Sequence, residues 1–138
     1  MTAGRRVETA VAVALLALFG LLPMAASAQD SARQADQTFA EGFKRDTGLD
    51  GPVDRTRAAE LYRHAAEAGH IEAKFHLAAL YLRGDGVPRD RAEAYKWALL
   101  AHEENIALGP SLEAIEAELK ASEIAEGKRR AQAWKRRQ

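Results

Sequence analysis

Sliding this sequence along itself by 36 residues brings Phe39 onto Phe75, Gly48 onto Gly84 and Pro52 onto Pro88. The same shift pairs Asp54-Arg55 with Asp90-Arg91, Ala58 with Ala94, Ala65 with Ala101 and Glu67 with Glu103. The matches cluster where backbone geometry is demanding, and glycine, proline and aspartate recur in one order. A fixed period of this size means one supersecondary unit used twice, each copy burying its apolar face against its neighbour.

The unit reads as helix, loop, helix. In the second copy Ala73, Leu77, Leu80, Tyr81 and Gly84 are spaced for one face of a helix running from Ile71 to Arg83. Gly84 ends it, since glycine adopts positive φ without a Cβ penalty. Pro88 cannot continue the helix, and Asp90 is placed to cap the next one through its carboxylate. In that second helix Ala94, Trp97, Ala98 and Ala101 form a face of small residues around one indole, which lets helices approach closely. Asn105 stands where Gly69 stands in the first copy and is expected to take the left-handed C-terminal position. Alanine throughout and only four prolines agree with an all-helical chain.

ALYLRGDGVPRDRAEAYKWALLA, residues 79–101, resembles the heart of a Sel1-like repeat, a family of tetratricopeptide-like α/α solenoids. Its pattern runs A-x-x-x-L-G-x-x-Y-x-x-G-x-G-V-x-x-D-x-x-x-A-x-x-W. Ala73, Leu77, Tyr81, Gly84, Gly86, Val87, Asp90, Ala94 and Trp97 match, with Ala78 in place of a glycine. The A-A-E-x-G signature closing a second helix is met at Ala65–Gly69 but becomes Ala101-His102-Glu103-Glu104-Asn105 in the second copy. The first copy departs further: Glu41 and Arg45 replace the expected leucine and tyrosine, and GLDGPVD lacks G-x-G-V. SEIAEGKRRAQAW, residues 122–134, is similar to the helix that often follows the last repeat, which implies that Trp134 packs back onto it. The resemblance implies a short α/α solenoid of about two repeats: a capping-helix region over 29–47, a degenerate repeat over 39–70, a second repeat over 71–106, and C-terminal capping helices with a basic tail over 107–138.

The N-terminus reads as a targeting segment. Arg5-Arg6 form a positive n-region, an apolar run extends from Ala10 to Leu22 up to Pro23, and Ala26-Ser27-Ala28 fits signal peptidase. A run of about 13 residues is short of the roughly 20 that span a bilayer. Residues 1–28 are therefore expected to be a cleaved signal peptide, making the mature chain periplasmic or secreted; an uncleaved membrane anchor is the alternative.

Chemistry-bearing constellations are scarce. The chain has no cysteine, which excludes disulfides, thiolate nucleophiles and cysteine-held metals. Lys plus Arg and Asp plus Glu number 20 each, a balance that suggests no nucleic-acid partner. GDGVPRD has neither the further glycines nor the lysine of a phosphate loop and reads as a corner. His64, His70, His76 and His102 form no H-x-x-x-H pair. No G-x-S-x-G surrounds Ser31, Ser111 or Ser122, and Ser111 and Ser122 read as helix caps. Glu113 and Glu116, with Lys120 in reach, read as a solvated helix side. No catalytic, cofactor or metal residue is assigned.

The resemblance places the first helix of each unit on a concave groove, which makes Glu72, His76 and Arg83 the candidate partner-binding residues. Arg83 suits a bidentate grip on a carboxylate. The expected function is a non-catalytic adaptor binding another protein or peptide, with self-association as a way to complete a short solenoid. A periplasmic enzyme or cell-wall-ligand-binding protein of the same repeat class is the alternative. The tail KRRAQAWKRRQ, residues 128–138, offers a secondary contact with a membrane surface.

Overall fold

Helices 13 to 15 residues long are joined by loops too short for anything but close neighbours. This is seen in a computed structural model of the chain, which describes residues 7–105 and 109–138, with side chains from residue 27 onward. The elements are α1 (Val7–Thr47), α2 (Arg55–Glu67), α3 (Ile71–Arg83), α4 (Arg91–Glu104), α5 (Leu112–Glu116) and α6 (Ala121–Lys135), with no strand among the described residues. The chain divides into two compact units, Met1–Arg33 and Gln34–Gln138. Arg5-Arg6 of the expected leader lie outside the described residues, as do the side chains of its apolar run and the expected repeat boundary at 106–107. Among the described residues no helix is long and apolar enough to cross a membrane.

The second unit is a short α/α solenoid, and its two loops are built alike. Gly48 and Gly84 both take φ +74°. Gly48 N–H donates to Lys44 O at 2.9 Å, and Gly84 N–H to Leu80 O at 2.8 Å. Leu49 and Asp85 close the same turn one residue later on the same carbonyls. Asp54 N–H then reaches Arg45 O at 2.8 Å and Asp90 N–H reaches Tyr81 O at 3.1 Å. Each aspartate caps its helix, Asp54 accepting from Arg57 N–H at 2.9 Å and Asp90 from Glu93 N–H at 3.0 Å. The first copy therefore keeps the loop while lacking G-x-G-V, because its hydrogen bonds use only the glycine, the aspartate and backbone carbonyls.

Packing follows from small residues. Ala58, Ala59, Ala65, Ala66, Ala73 and Ala98 are buried, and around them sit Tyr62, Leu77, Leu80, Tyr95, Trp97 and Leu100. Helices α2 and α3, and α3 and α4, pack as antiparallel neighbours, as two pairs of meeting ends indicate: Lys74 near the start of α3 meets Glu104 at the end of α4, and the loop after α3 meets the start of α2. Tyr81 packs half-buried against the core, its hydroxyl accepting from Arg63 Nη2 at 2.9 Å. Trp134 returns to the core edge-on to Trp97, ring centroids 5.9 Å apart, as the resemblance implied.

Helix α6 runs parallel to α4: Tyr95 faces Gly127, Trp97 faces Trp134 and Glu103 pairs with Lys135. Ala131 and Trp134 stand 37 residues after Ala94 and Trp97, so α6 repeats the A-x-x-W of α4 and occupies the second-helix position of a third unit. The first helix of that unit is reduced to α5, five residues long. Arg130 locks the arrangement, its Nη1 donating to Asp90 at 2.8 Å and its Nε to Glu126 at 2.8 Å.

Two expected caps are corrected. Asn105 has φ −154°, extended rather than left-handed, and the positive φ comes later at Gly109 (+88°). Asn105 therefore does not make the left-handed turn that Gly69 makes after α2. Ser122 lies inside the first turn of α6; Lys120 takes the cap position, and Glu123 Oε2 accepts its N–H at 2.8 Å. Ser111 does cap α5, accepting from Ala114 N–H at 3.2 Å.

Gly86 does more than turn the chain. A Cβ there would lie 2.3 Å from the Arg55 backbone carbonyl, so the loop of one unit rests on the first turn of α2 in the unit before. Gly69, at φ +95°, has nothing within 4 Å of its missing Cβ. Gly69→Ala should cost only the left-handed strain of about 1–2 kcal/mol. Gly86→Ala should cost more than about 2 kcal/mol, a fall in melting temperature of roughly 8 °C or more, because a rigid backbone blocks the methyl. Thermal unfolding of the two variants checks the order.

Candidate functional site

Helix α3 spreads its three candidate residues over different environments. Glu72 is exposed in the first turn and Arg83 is exposed in the last, its Nε donating to Asp85 at 2.7 Å. His76 is half-buried between rings, its centroid 4.9 Å from Tyr62, 5.4 Å from Phe39 and 5.9 Å from Phe43. His70 joins this cluster, stacked on Phe39 at 4.3 Å, with Nδ1 accepting from Ala73 N–H at 3.2 Å and Nε2 3.5 Å from Asp36. The cluster fastens the 34–47 part of α1 to α2 and α3. Burial pushes the His76 imidazole below its ordinary 6.5, while Asp46 and then Glu72 pull it back up. Burial, followed by Asp46, raises the Tyr62 hydroxyl, which donates to Asp46 at 3.3 Å.

Arg83 leads to a groove between α3 and α5, a cavity of about 550 Å³. Ala79 and Leu82 from α3 and Pro110, Ala114 and Ile115 from the α5 side supply apolar walls. Arg83 and Arg89 border it from the α3 side, Glu118 from the other. The groove exists because α5 is a single turn beside a helix of 13 residues. Ile115 is buried and Tyr95 donates its hydroxyl to Glu116, which pins α5 to α4. Arg91 Nη1 binds Glu118 O at 2.9 Å and holds the exit of α5. Arg89 Nε donates to Leu82 O at 3.0 Å, anchoring its guanidinium at the end of α3.

Apolar walls with guanidinium groups at one rim suit recognition. Neither histidine nor hydroxyl is among the described lining residues. No group of three or more His, Asp or Glu is arranged to hold a metal ion among the described residues. Gly84 and Asp90, from the GDGVPRD stretch, serve as a turn and a cap, and Asp90 also accepts from Arg130.

A family model for the Sel1 repeat matches residues 45–70 and 71–105, the same loop-and-hairpin frame that carries the groove. The chain carries two Sel1 repeats. Outside them lie α6 and the shortened α5 that opens the groove. Over 42 residues the chain is 48% identical to the exopolysaccharide production negative regulator of Rhizobium leguminosarum bv. viciae. Over a stretch of the same length it is 45% identical to the protein of that name from Rhizobium meliloti strain 1021. Each match covers 30% of this chain and 16% of the relative, so the similarity spans about a sixth of those proteins. No solved structure matches.

Sequence reasoning put Glu72, His76 and Arg83 on one groove; of these only Arg83 lines the cavity beside α5, and Arg89, Pro110 and Ile115 were not singled out. The signal available was the A-x-x-W of α6, which marks a third unit and hence a missing first helix between the Sel1 repeats and the end of the chain. Lys74 was also missed: fully buried, it pairs with Glu104 and lies 5.5 Å from the Trp134 ring, where a lysine on a helix reads as solvated.

The depressed His76 titration has a defined sign. The unfolded chain takes up a proton as pH falls through about 6.5, and the folded chain resists it, so stability present above that pH is lost below it. Between about pH 7 and about pH 5 the wild type should lose more thermal stability than His76→Phe. Melting curves of both proteins across that range, giving unequal slopes in this order, are the check.

Proposed function

We propose that this chain is an exported adaptor that binds another protein through its Sel1 repeats and performs no catalysis. The observation that carries this reading is the groove between α3 and α5, apolar inside and cationic at one rim, on a frame whose glycines, aspartates and aromatic residues are spent on shape. Rigid helices offer side chains to a partner with little rearrangement of either. Glu72 and Arg83, both exposed on α3, are the residues proposed to touch the partner, and His76 acts by fixing the helix that presents them. Export rests on the Ala10–Leu22 run and the Ala26-Ser27-Ala28 sequence. The two relatives are named as negative regulators of exopolysaccharide production, which agrees with an adaptor acting in regulation through contact with another protein.

The test is crosslinking in the intact envelope with mass spectrometry of the captured species. A specific protein should be captured by the wild type and captured several-fold less by the Glu72→Ala, Arg83→Ala double variant. N-terminal sequencing of the recovered chain should begin at Gln29. Robust hydrolysis of cell-wall or peptide substrates by the purified mature protein defeats the non-catalytic reading.

A further inference from the structure

The cations beside the groove are unequally occupied. Arg83 has Asp85 as its partner at 2.7 Å, an exposed ion pair of the kind that contributes little and exchanges readily. The Arg83 hydrogen bond, with Arg55 behind it, holds Asp85 below the usual carboxylate range, so the acid sits in a positive surrounding. Arg89 is different. Its Nε is satisfied by the Leu82 carbonyl at 3.0 Å, and no carboxylate pairs with its guanidinium among the described residues. An unmatched guanidinium beside a concave apolar surface favours an anion there, because the walls displace water and weaken screening.

We propose that the groove seats an acidic segment of a protein partner, an aspartate or glutamate carboxylate binding Arg89 while a neighbouring aliphatic side chain enters between Ala79, Leu82 and Ile115. This rests on the reading of the repeats as a protein-recognition module and adds the chemistry of what they recognise. Both halves of the segment are needed. A carboxylate alone leaves the apolar walls wet, and an aliphatic side chain alone leaves Arg89 unmatched. Arginine suits the first task because its planar fork donates two parallel hydrogen bonds to a carboxylate. Glu118, on the α5 side, repels a second acid and so orients the segment, its carboxylate toward Arg89 and a neutral or basic residue toward Glu118. The cavity lies along α3 from Ala79 to Arg83, about one helical turn, which gives room for neighbouring side chains of a partner.

Fluorescence anisotropy of the full chain with labelled twelve-residue peptides tests this. One peptide set places glutamate beside leucine, a second replaces glutamate with lysine, and a third replaces leucine with serine. The glutamate–leucine set should bind, and the other two at least tenfold more weakly. Arg89→Glu, at an exposed loop position, should cut binding of the first set at least tenfold, and raised salt should weaken it. Glu118→Gln should leave it unchanged or tighten it. Ala79→Trp, which fills the groove, should abolish it, with circular dichroism confirming that both variants keep their helix content. Equal binding of the glutamate and lysine sets overturns the proposal, as does no binding of the first set, or binding insensitive to Arg89→Glu and Ala79→Trp. Envelope crosslinking separates the two readings: a specific partner captured equally by wild type, Arg89→Glu and Ala79→Trp removes the acidic-segment groove and leaves the adaptor reading standing.

Discussion

Methyl groups set the distances between the helices of this protein. Where α2, α3 and α4 meet, the contact positions are alanines that are almost wholly buried, and a Cβ added at Gly127 would strike Tyr95 of α4 at 2.7 Å. Axes held this close leave room for a few large side chains, and Tyr62, Tyr95, Trp97, Leu77 and Leu80 fill it. Apolar burial then comes from many small contacts interlocked with a few large ones, so a larger residue at a seam position costs strain across a whole helix pair.

The loops turn this spacing into a repeated unit. A glycine at positive φ stops one helix, a backbone hydrogen bond sets the return, and an aspartate starts the next. Asp90 then does a second job, accepting from Arg130 of α6, so the cap of one unit is tied to the helix that closes the solenoid. Gly86 ties in the other direction, resting on the backbone of Arg55. Asp90 and Gly86 thereby work both within their unit and between units. The first glycine and the aspartate recur in both copies because each copy's turn and cap need them, even where the intervening helix residues have changed.

The groove follows from an imbalance in the same plan. Helix α6 occupies its place fully, whereas α5 is only five residues long, and a groove lies between it and the C-terminal part of α3. At the opposite end of the solenoid the equivalent surface is closed by Phe39 and Phe43 of α1 packing on Tyr62, His70 and His76. One end is sealed by aromatic contact and the other presents cations and apolar walls.

Much of this was legible from the residues alone, and the reason is locality. Helix ends, the two loops and the inward faces of α3 and α4 depend on glycine φ, aspartate capping and a 3.6-residue period, which act within a few residues of chain. Asn105 misled because the same residue type serves extended and left-handed backbones, and the choice depended on where the chain had to go next. Tertiary structure alone decided that Lys74 is buried beneath Trp134, that His76 is enclosed by rings contributed by α1 and α2, and that Arg89 stands over a gap beside α5. Those outcomes depend on which distant faces remain uncovered once the helices have packed, and no short stretch of sequence carries that information.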